Sequence, residues 1–363
     1  MAHSLIALLG RKDHPTDAVE DYCHYLADAL QIHHFQLEPR RVPWDSLGWS
    51  EALKALRLLV QALPPGTWFL VQYTALAWSN RGFPHKFLRV LRTLRTLGAR
   101  TAVIFHDIEP FSGYRLIDRL RRAIQRFTMY RATSLATCTI FTVPREKISW
   151  PPAHRFNAHF IPVGANLPIP EQRTDARVKD RIPNVAVFSI TGGQAGAVES
   201  KAIIDAVLFA AQRLGRIRLS VFGRNADSAE TVLREALRSS NVEVSVEGLL
   251  EDSQIVERLS DSDVLLFVRG PISSRRSSAI AGIACGLPVV AYSGSETAPP
   301  ITEAGVVLVR PDNQEELNAA LLRVLADDSY RALLAARSSA AFAQHFSWRS
   351  IAARFVEALN SRT

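Results

Sequence analysis

Short apolar runs alternate along the chain with longer stretches in which apolar residues recur every three or four positions. A run of four to eight apolar residues fits a buried strand, and the three-to-four spacing fits an amphipathic helix. Their alternation predicts βαβ units and parallel sheets. In the first half the strand candidates are SLIALLG, WFLVQY, TAVIFHD, CTIFTV and AHFIPVG. Between them lie helical stretches such as AVEDYCHYLADAL, PHKFLRVLRTLRTLG and RLIDRLRRAIQRFTMYRATSL, the last two reading as amphipathic with arginines opposite the apolar stripe. A second series follows: NVAVFSI, IRLSVFG, NVEVSVEG, DVLLFVRG, LPVVAY and GVVLVR, again with helices in the gaps.

The pattern breaks over residues 167–183, LPIPEQRTDARVKDRIP, which is polar, flanked by prolines and lacks a core stripe. That marks an interdomain linker between a domain of residues 1–166 and one of residues 184–346. Residues 347–363 read as a terminal amphipathic helix with Ser347 as its N-cap. The expected architecture is two Rossmann-like halves facing each other across a cleft. Open parallel sheets take ligands beyond the carboxyl ends of their strands, so strand-end loops should carry the chemistry.

Composition narrows the class. With 47% hydrophobic and 21% charged residues in 363, the chain is of the globular kind and long enough for two cores. No apolar run approaches the roughly 20 residues that span a bilayer. The start, MAHSLIALLGRKD, is too short in apolar residues for a signal peptide. Cys23, Cys138 and Cys285 are scattered and odd in number, which points to reduced thiols and a cytoplasmic setting. Neither CxxC nor HExxH spacing occurs, so no metal is expected. The net charge of +8 is uneven: from Arg81 to Arg131 arginines dominate, opposed only by Asp107, Glu109 and Asp118. Some of these arginines fit a solvated helical face, and the surface as a whole suits phosphorylated substrates or, the favoured reading, acidic headgroups at the inner face of the cell membrane; no nucleic-acid recognition motif accompanies it.

AIAGIACGLPVVA reads as a small-residue helix, a Gly-Leu-Pro stop and a buried strand. It resembles the corresponding segment of glycosyltransferase family 4. VEGLLEDSQIVERLSDSDVLLF, GVVLVRPDNQEELNAALLRVLADD, FSWRSIAARFVEAL and, in the first half, DAVEDYCHYLADAL, FHD and IPVGANLP are similar to family segments in the same order. The resemblance covers nearly the whole chain. It implies an α/β GT-B fold: two Rossmann-like domains with parallel sheets, and a C-terminal helix crossing back to the N-terminal domain. The implied activity is transfer of a sugar, with retention, from a UDP- or GDP-sugar to a lipid-linked or polysaccharide acceptor, with no metal. Alternatives on the same fold are a silent protein that binds a nucleotide sugar or partner enzyme, a sugar-nucleotide epimerase and a phosphorylase.

The candidate residues depart from the family pattern in an ordered way. Ser273 and Ala281 stand where the family has its two donor-site glutamates. Ser273, Ser274, Ser277 and the arginines Arg275 and Arg276 instead surround a helix N-terminus, which favours an anion, and a guanidinium forks onto a diphosphate. Arg269 is a further arginine of this group. Lys201 matches the family's diphosphate lysine, whereas its arginine is missing and Gly192, Gly193 and Gly196 lengthen the loop. Backbone amides there can wrap phosphate. Glu296 or Glu303 is expected to reach the ribose vacated by Ala281. His106, ending TAVIFHD, falls where the family has a histidine beside the donor sugar. Asp107 or Glu109 is expected to orient it or an acceptor hydroxyl. GRKDHPTDAVED, with Gly10 and Asp17, is assigned to acceptor contact, while Tyr73, Trp78 and Arg81 either stack on and hydrogen-bond a sugar or lipid-linked acceptor or serve as core and surface packing.

Overall fold

The structure is a computed structural model and describes residues 3–151, 156–169 and 181–361. The chain divides into two compact units, Met1–Pro162 together with Trp348–Thr363, and Val163–Ser347. Residues 163–169 therefore group with the second unit; the remainder of the expected linker up to 180 lies outside the described residues.

The first unit runs β1 (His3–Leu9), α1 (Ala18–Gln31), β2 (Phe35–Arg41), α2 (Trp44–Gln61), β3 (Trp68–Tyr73), α3 (Phe87–Thr96), β4 (Arg100–Phe105), α4 (Leu116–Leu135), β5 (Cys138–Phe141) and β6 (Ala158–Phe160). All its strands pair in parallel in the order β2-β1-β3-β4-β5-β6. The central strands are apolar throughout because helices cover both sheet faces. Phe69, Val71, Phe105 and Phe141 are fully buried among Phe87, Leu91 and Met129. Each such side chain contributes about 1.5–3 kcal/mol on burial. The strand β2, FQLEPRR, was missed by the apolar-run criterion. It is an edge strand in which buried and exposed positions alternate, and its Pro39 is tolerated there because only one side needs donors.

The second unit runs β7 (Asn184–Phe188), α5 (Gln194–Leu214), β8 (Ile217–Phe222), α6 (Ala226–Leu237), β9 (Val242–Glu247), α7 (Asp252–Ser260), β10 (Val264–Phe267), α8 (Ser277–Ala284), β11 (Val289–Tyr292), β12 (Val306–Val309), α9 (Gln314–Ala326) and α10 (Asp328–Ala341). Its strand order is β12-β11-β10-β7-β8-β9, all parallel. The helix α8 lies so close to β10 that a Cβ on Gly282 would come within 2.5 Å of a Leu265 methyl. The last helix, α11 (Trp348–Asn360), returns to the first unit. It packs there on α1, with Trp348 stacked on Tyr25 and edge-on to Tyr22.

In each unit the chain leaves its first strand to one side and later returns to the other, so strand order reverses beside β1 and beside β7. The loops at those two points splay apart and leave room for a ligand.

Candidate functional site

In the second unit the carboxyl ends of β7, β8, β10 and β11 bring together Ser189, Arg224, Arg269 and the loop carrying Glu296. α8 begins beside them, with Arg276 in its N-cap position making no side-chain cap bond. Arg275 forks onto Glu296, Nε to Oε2 at 2.6 Å and a terminal nitrogen to Oε1 at 2.9 Å, and Ser273 donates to the same carboxylate at 3.1 Å. Burial alone would raise the Glu296 pKa. The hydrogen bond and charge of Arg275, aided by Ser273 and Arg276, outweigh it and hold the carboxyl below its ordinary value. Arg275 and Glu296, each expected to grip ligand, are thus bound to each other.

Arg269 and Arg276 are different. The Nε of each is buried and makes no hydrogen bond, and among the described residues no carboxylate forms an ion pair with either. Burial, with the charges of Arg275 and Arg269 beside it, pushes Arg276 down to about 10, against a partial counter-effect of Glu296 and Glu199. Arg269 is lowered by burial and by Arg224, and Glu199 opposes the change. Two half-buried guanidiniums whose Nε donors are open can donate charge-assisted hydrogen bonds to an anion. Ser273 and Ser274 are wholly buried beneath, and the Ser274 carbonyl accepts the Val163 N–H at 3.0 Å. Ser277 opens α8 half-buried, so its amide end of the helix dipole lies next to Arg276.

The loop after β7 is built around a buried carboxylate that the sequence reading missed. Glu199 accepts the Thr191 N–H at 2.8 Å and lies in phase with Ala202, Ile203 and Ala206 on the buried stripe of α5. A carboxylate on a core stripe is the signal that could have revealed it. Gly193 takes φ 67° in the N-cap position of α5, with Gly192 exposed beside it. A Cβ on Gly196 would sit 2.0 Å from the Thr191 carbonyl oxygen, so the loop closes only over glycine. Lys201 stands apart from the arginines: its side chain is largely exposed and pairs with Asp205 one turn on.

In the first unit, a cavity of about 260 Å³ opens where strand order reverses, lined among others by Gly10, Lys12, Asp17, Gln72, Thr74 and Asp107. Gly10 is required because a Cβ there would approach the Ala77 carbonyl oxygen to 2.2 Å. Asp17 caps α1 through the Val19 and Glu20 amides and pairs with Arg41 at 2.8 Å. His106 follows β4. Its Nε2 lies 2.7 Å from the Gln72 side-chain oxygen and its ring meets the edge of the buried Tyr22 ring at 5.1 Å. Gln72 and Tyr22 are thus two partners of His106 that the sequence reading did not name. Asp107 accepts the Ala75 N–H at 2.6 Å and so fixes the loop that walls the cavity, while Glu109 is engaged with Ser149. Tyr73 and Trp78 are core residues. Arg81 is exposed and lines two neighbouring cavities. Among the described residues no helix is long and apolar enough to cross a membrane, and no cluster of His, Cys, Asp and Glu could hold a metal ion. The three cysteines are buried and form no disulfide.

No family model and no curated protein sequence matches the chain. Solved structures do. HepE of Anabaena, in complex with UDP and glucose, is 15% identical with TM-score 0.63, covering 99% of this chain and 100% of that one. The sucrose-phosphate synthase of Thermosynechococcus elongatus is 16% identical with TM-score 0.68, covering 98% of each. A glycosyltransferase of Rickettsia africae is 12% identical with TM-score 0.69, covering 99% and 100%. At such identities the likeness is one of fold. The chain has the two-domain GT-B fold, with parallel sheets in both domains.

Proposed function

We propose that this chain is a retaining hexosyltransferase that moves a sugar from a UDP- or GDP-sugar to a lipid-linked or polysaccharide acceptor at the cytoplasmic face of the membrane, without a metal. The observation that carries the reading is the pair of half-buried arginines, Arg269 and Arg276, whose Nε atoms are buried without a hydrogen-bond partner beside the start of α8. A nucleoside diphosphate supplies the charge and the acceptor oxygens that this pair lacks. The GT-B fold, shared with HepE in complex with UDP and glucose, supports the same assignment.

In the proposed reaction the sugar's C1–O bond to the diphosphate breaks and a C1–O bond to the acceptor forms on the same face. The acceptor hydroxyl's proton passes to the departing phosphate oxygen. Arg269 and Arg276 stabilise the charge that grows on the diphosphate, which is where such a site accelerates the reaction. Gly192 and Gly193 offer backbone amides to the same phosphates. Within the first unit, His106, held by Gln72, and Asp107 are the proposed catalytic residues, and the cavity that Asp107 lines is the proposed acceptor pocket. No carboxylate base is needed, so the absence of the family's two glutamates does not remove the chemistry.

The test is nucleotide release from a panel of UDP- and GDP-sugars with membrane extract as acceptor source, alongside calorimetric titration of UDP and GDP. Turnover that falls at least tenfold in Arg269→Met and Arg276→Met is expected. Absence of both nucleotide binding and release would sink the proposal. Binding without turnover would establish the second reading, a silent nucleotide-sugar-binding protein. The mutual pairing of Arg275 and Glu296 favours that reading, since it withdraws a carboxylate from ribose.

A further inference from the structure

The helix α4 is inside out. Its buried positions include Asp118, Gln125, Thr128 and Thr133, beside only Met129 and Ala132 as apolar residues. Leu116, Ile117, Leu120 and Phe127 are exposed instead, and Tyr114 and Phe111 just before the helix are exposed with them. This reverses the orientation that the spacing of its apolar residues suggested. The polar interior is specific. Gln125 accepts the Phe111 N–H at 2.7 Å and donates to the Gly82 carbonyl at 2.9 Å, and Asp118 accepts from Arg121 at 2.7 Å and from the Arg115 N–H at 3.1 Å. The helix is therefore tied to its unit by hydrogen bonds through one face, and its apolar stripe is left over.

At about 100° per residue, Leu116, Ile117, Leu120 and Phe127 share one side of the helix. Arg115, Arg119, Arg122 and Arg126 run along one flank of that stripe, and the helix's one carboxylate, Asp118, faces inward. Tyr114 is 98% and Leu116 82% exposed, values that a lone surface residue reaches but a contiguous stripe rarely does. A phosphodiester polymer would match the arginines and leave the stripe in water. An ordinary protein partner would match the stripe and leave a row of cations uncompensated. An anionic bilayer surface answers both at once, with acyl chains for the stripe and headgroup phosphates for the arginines.

We infer that the segment from Phe111 to Arg131 lies in the plane of an anionic bilayer and inserts its apolar stripe below the headgroups. The inference rests on the membrane-face part of the proposed function and not on its chemistry. A cavity of about 460 Å³ is lined by Phe111, Arg121 and the inward Gln125 of this segment together with Arg81 and Asp107.

Flotation of the full-length protein with phosphatidylglycerol and with phosphatidylcholine vesicles tests this, at low and physiological salt. Binding to the anionic vesicles only is expected. It should fall at least tenfold in Leu120→Glu/Phe127→Glu even at low salt, and should lose its lipid preference in Arg119→Glu/Arg126→Glu. Because the native cysteines are buried, Leu120→Cys can be labelled selectively with an environment-sensitive dye. Its emission should shift to the blue on binding and be quenched by brominated acyl chains. Equal vesicle binding by Leu120→Glu/Phe127→Glu, or an unshifted dye, would overturn insertion. Concentration-dependent self-association that this pair of substitutions abolishes, without vesicle binding, would make the face an interface between copies and overturn the inference as well. UDP titration of the same variants should be unchanged. Its failure in the native chain would count against the donor site alone.

Discussion

Arg275 and Arg276 are neighbours in sequence, yet the structure gives their replacement opposite consequences. In Arg276→Met the apolar stem is kept and a charge that finds no partner is removed. Burial and the neighbouring arginines depress the guanidinium to about 10, which corresponds to roughly 3 kcal/mol of disfavoured charge in the folded state. Part of that is lost again through altered packing, so the ligand-free protein should gain about 1–2 kcal/mol, or about 2–8 °C in the melting of the second unit. The same substitution removes charge-assisted hydrogen bonds to the diphosphate, each worth about 1.5–3 kcal/mol, so UDP should bind about 10- to 150-fold more weakly. In Arg275→Met, by contrast, Glu296 keeps its buried position and loses its fork. That should destabilise the unit by about 2–4 kcal/mol. Differential scanning calorimetry without ligand, and isothermal titration with UDP, read both quantities. If Arg276→Met melts no higher than the native chain and keeps UDP affinity within about threefold, the guanidinium is not an unsatisfied donor and the assignment of the anion site falls.

Acid should destabilise the protein through Asp17, Glu20 and Glu296. Burial alone would raise all three, but hydrogen bonds and nearby cations hold them below their ordinary values. A depressed carboxylate contributes stability that is present above its unfolded pKa of about 4–4.5 and is lost as pH falls through the lower folded value. Melting temperatures from pH 7 to pH 3 should therefore be flat and then drop below about pH 4.5. Arg41→Met leaves the buried Asp17 without its ion pair and should cost about 2–4 kcal/mol, read by urea denaturation. Gly10→Ala forces a methyl group against the Ala77 carbonyl; a loss of about 1–3 kcal/mol and weakened acceptor saturation kinetics, with UDP affinity intact, are expected.

Much of the fold was legible because burial on both sheet faces leaves a mark that a sequence carries openly. Every strand with a continuous apolar run was found, from SLIALLG to GVVLVR. The one missed, β2, lies at a sheet edge, where one face needs no apolar residues and charged side chains replace them. The site was legible only as a neighbourhood. SSRRSS announced an anion-ready helix end, but nothing in the order of residues distinguishes Arg275 from Arg276. One points at Glu296, 21 residues on, and the other at no carboxylate. His106 was visible as a strand-end histidine, while Gln72, 34 residues away, was not.

By itself, then, the sequence determined two parallel-sheet units, the succession of every strand except β2, and the basic character of residues 81–131. These follow from local spacing, which reports how a segment meets its own sheet. The tertiary structure alone decided which arginine is satisfied, which carboxylate is occupied, and which side of α4 faces inward. A side chain's partner is set by whatever another strand or helix brings within hydrogen-bond reach. For α4 those partners are the Phe111 amide and the Gly82 carbonyl. Once they claimed Gln125 for the interior, the apolar residues on the opposite face had no place left except the surface.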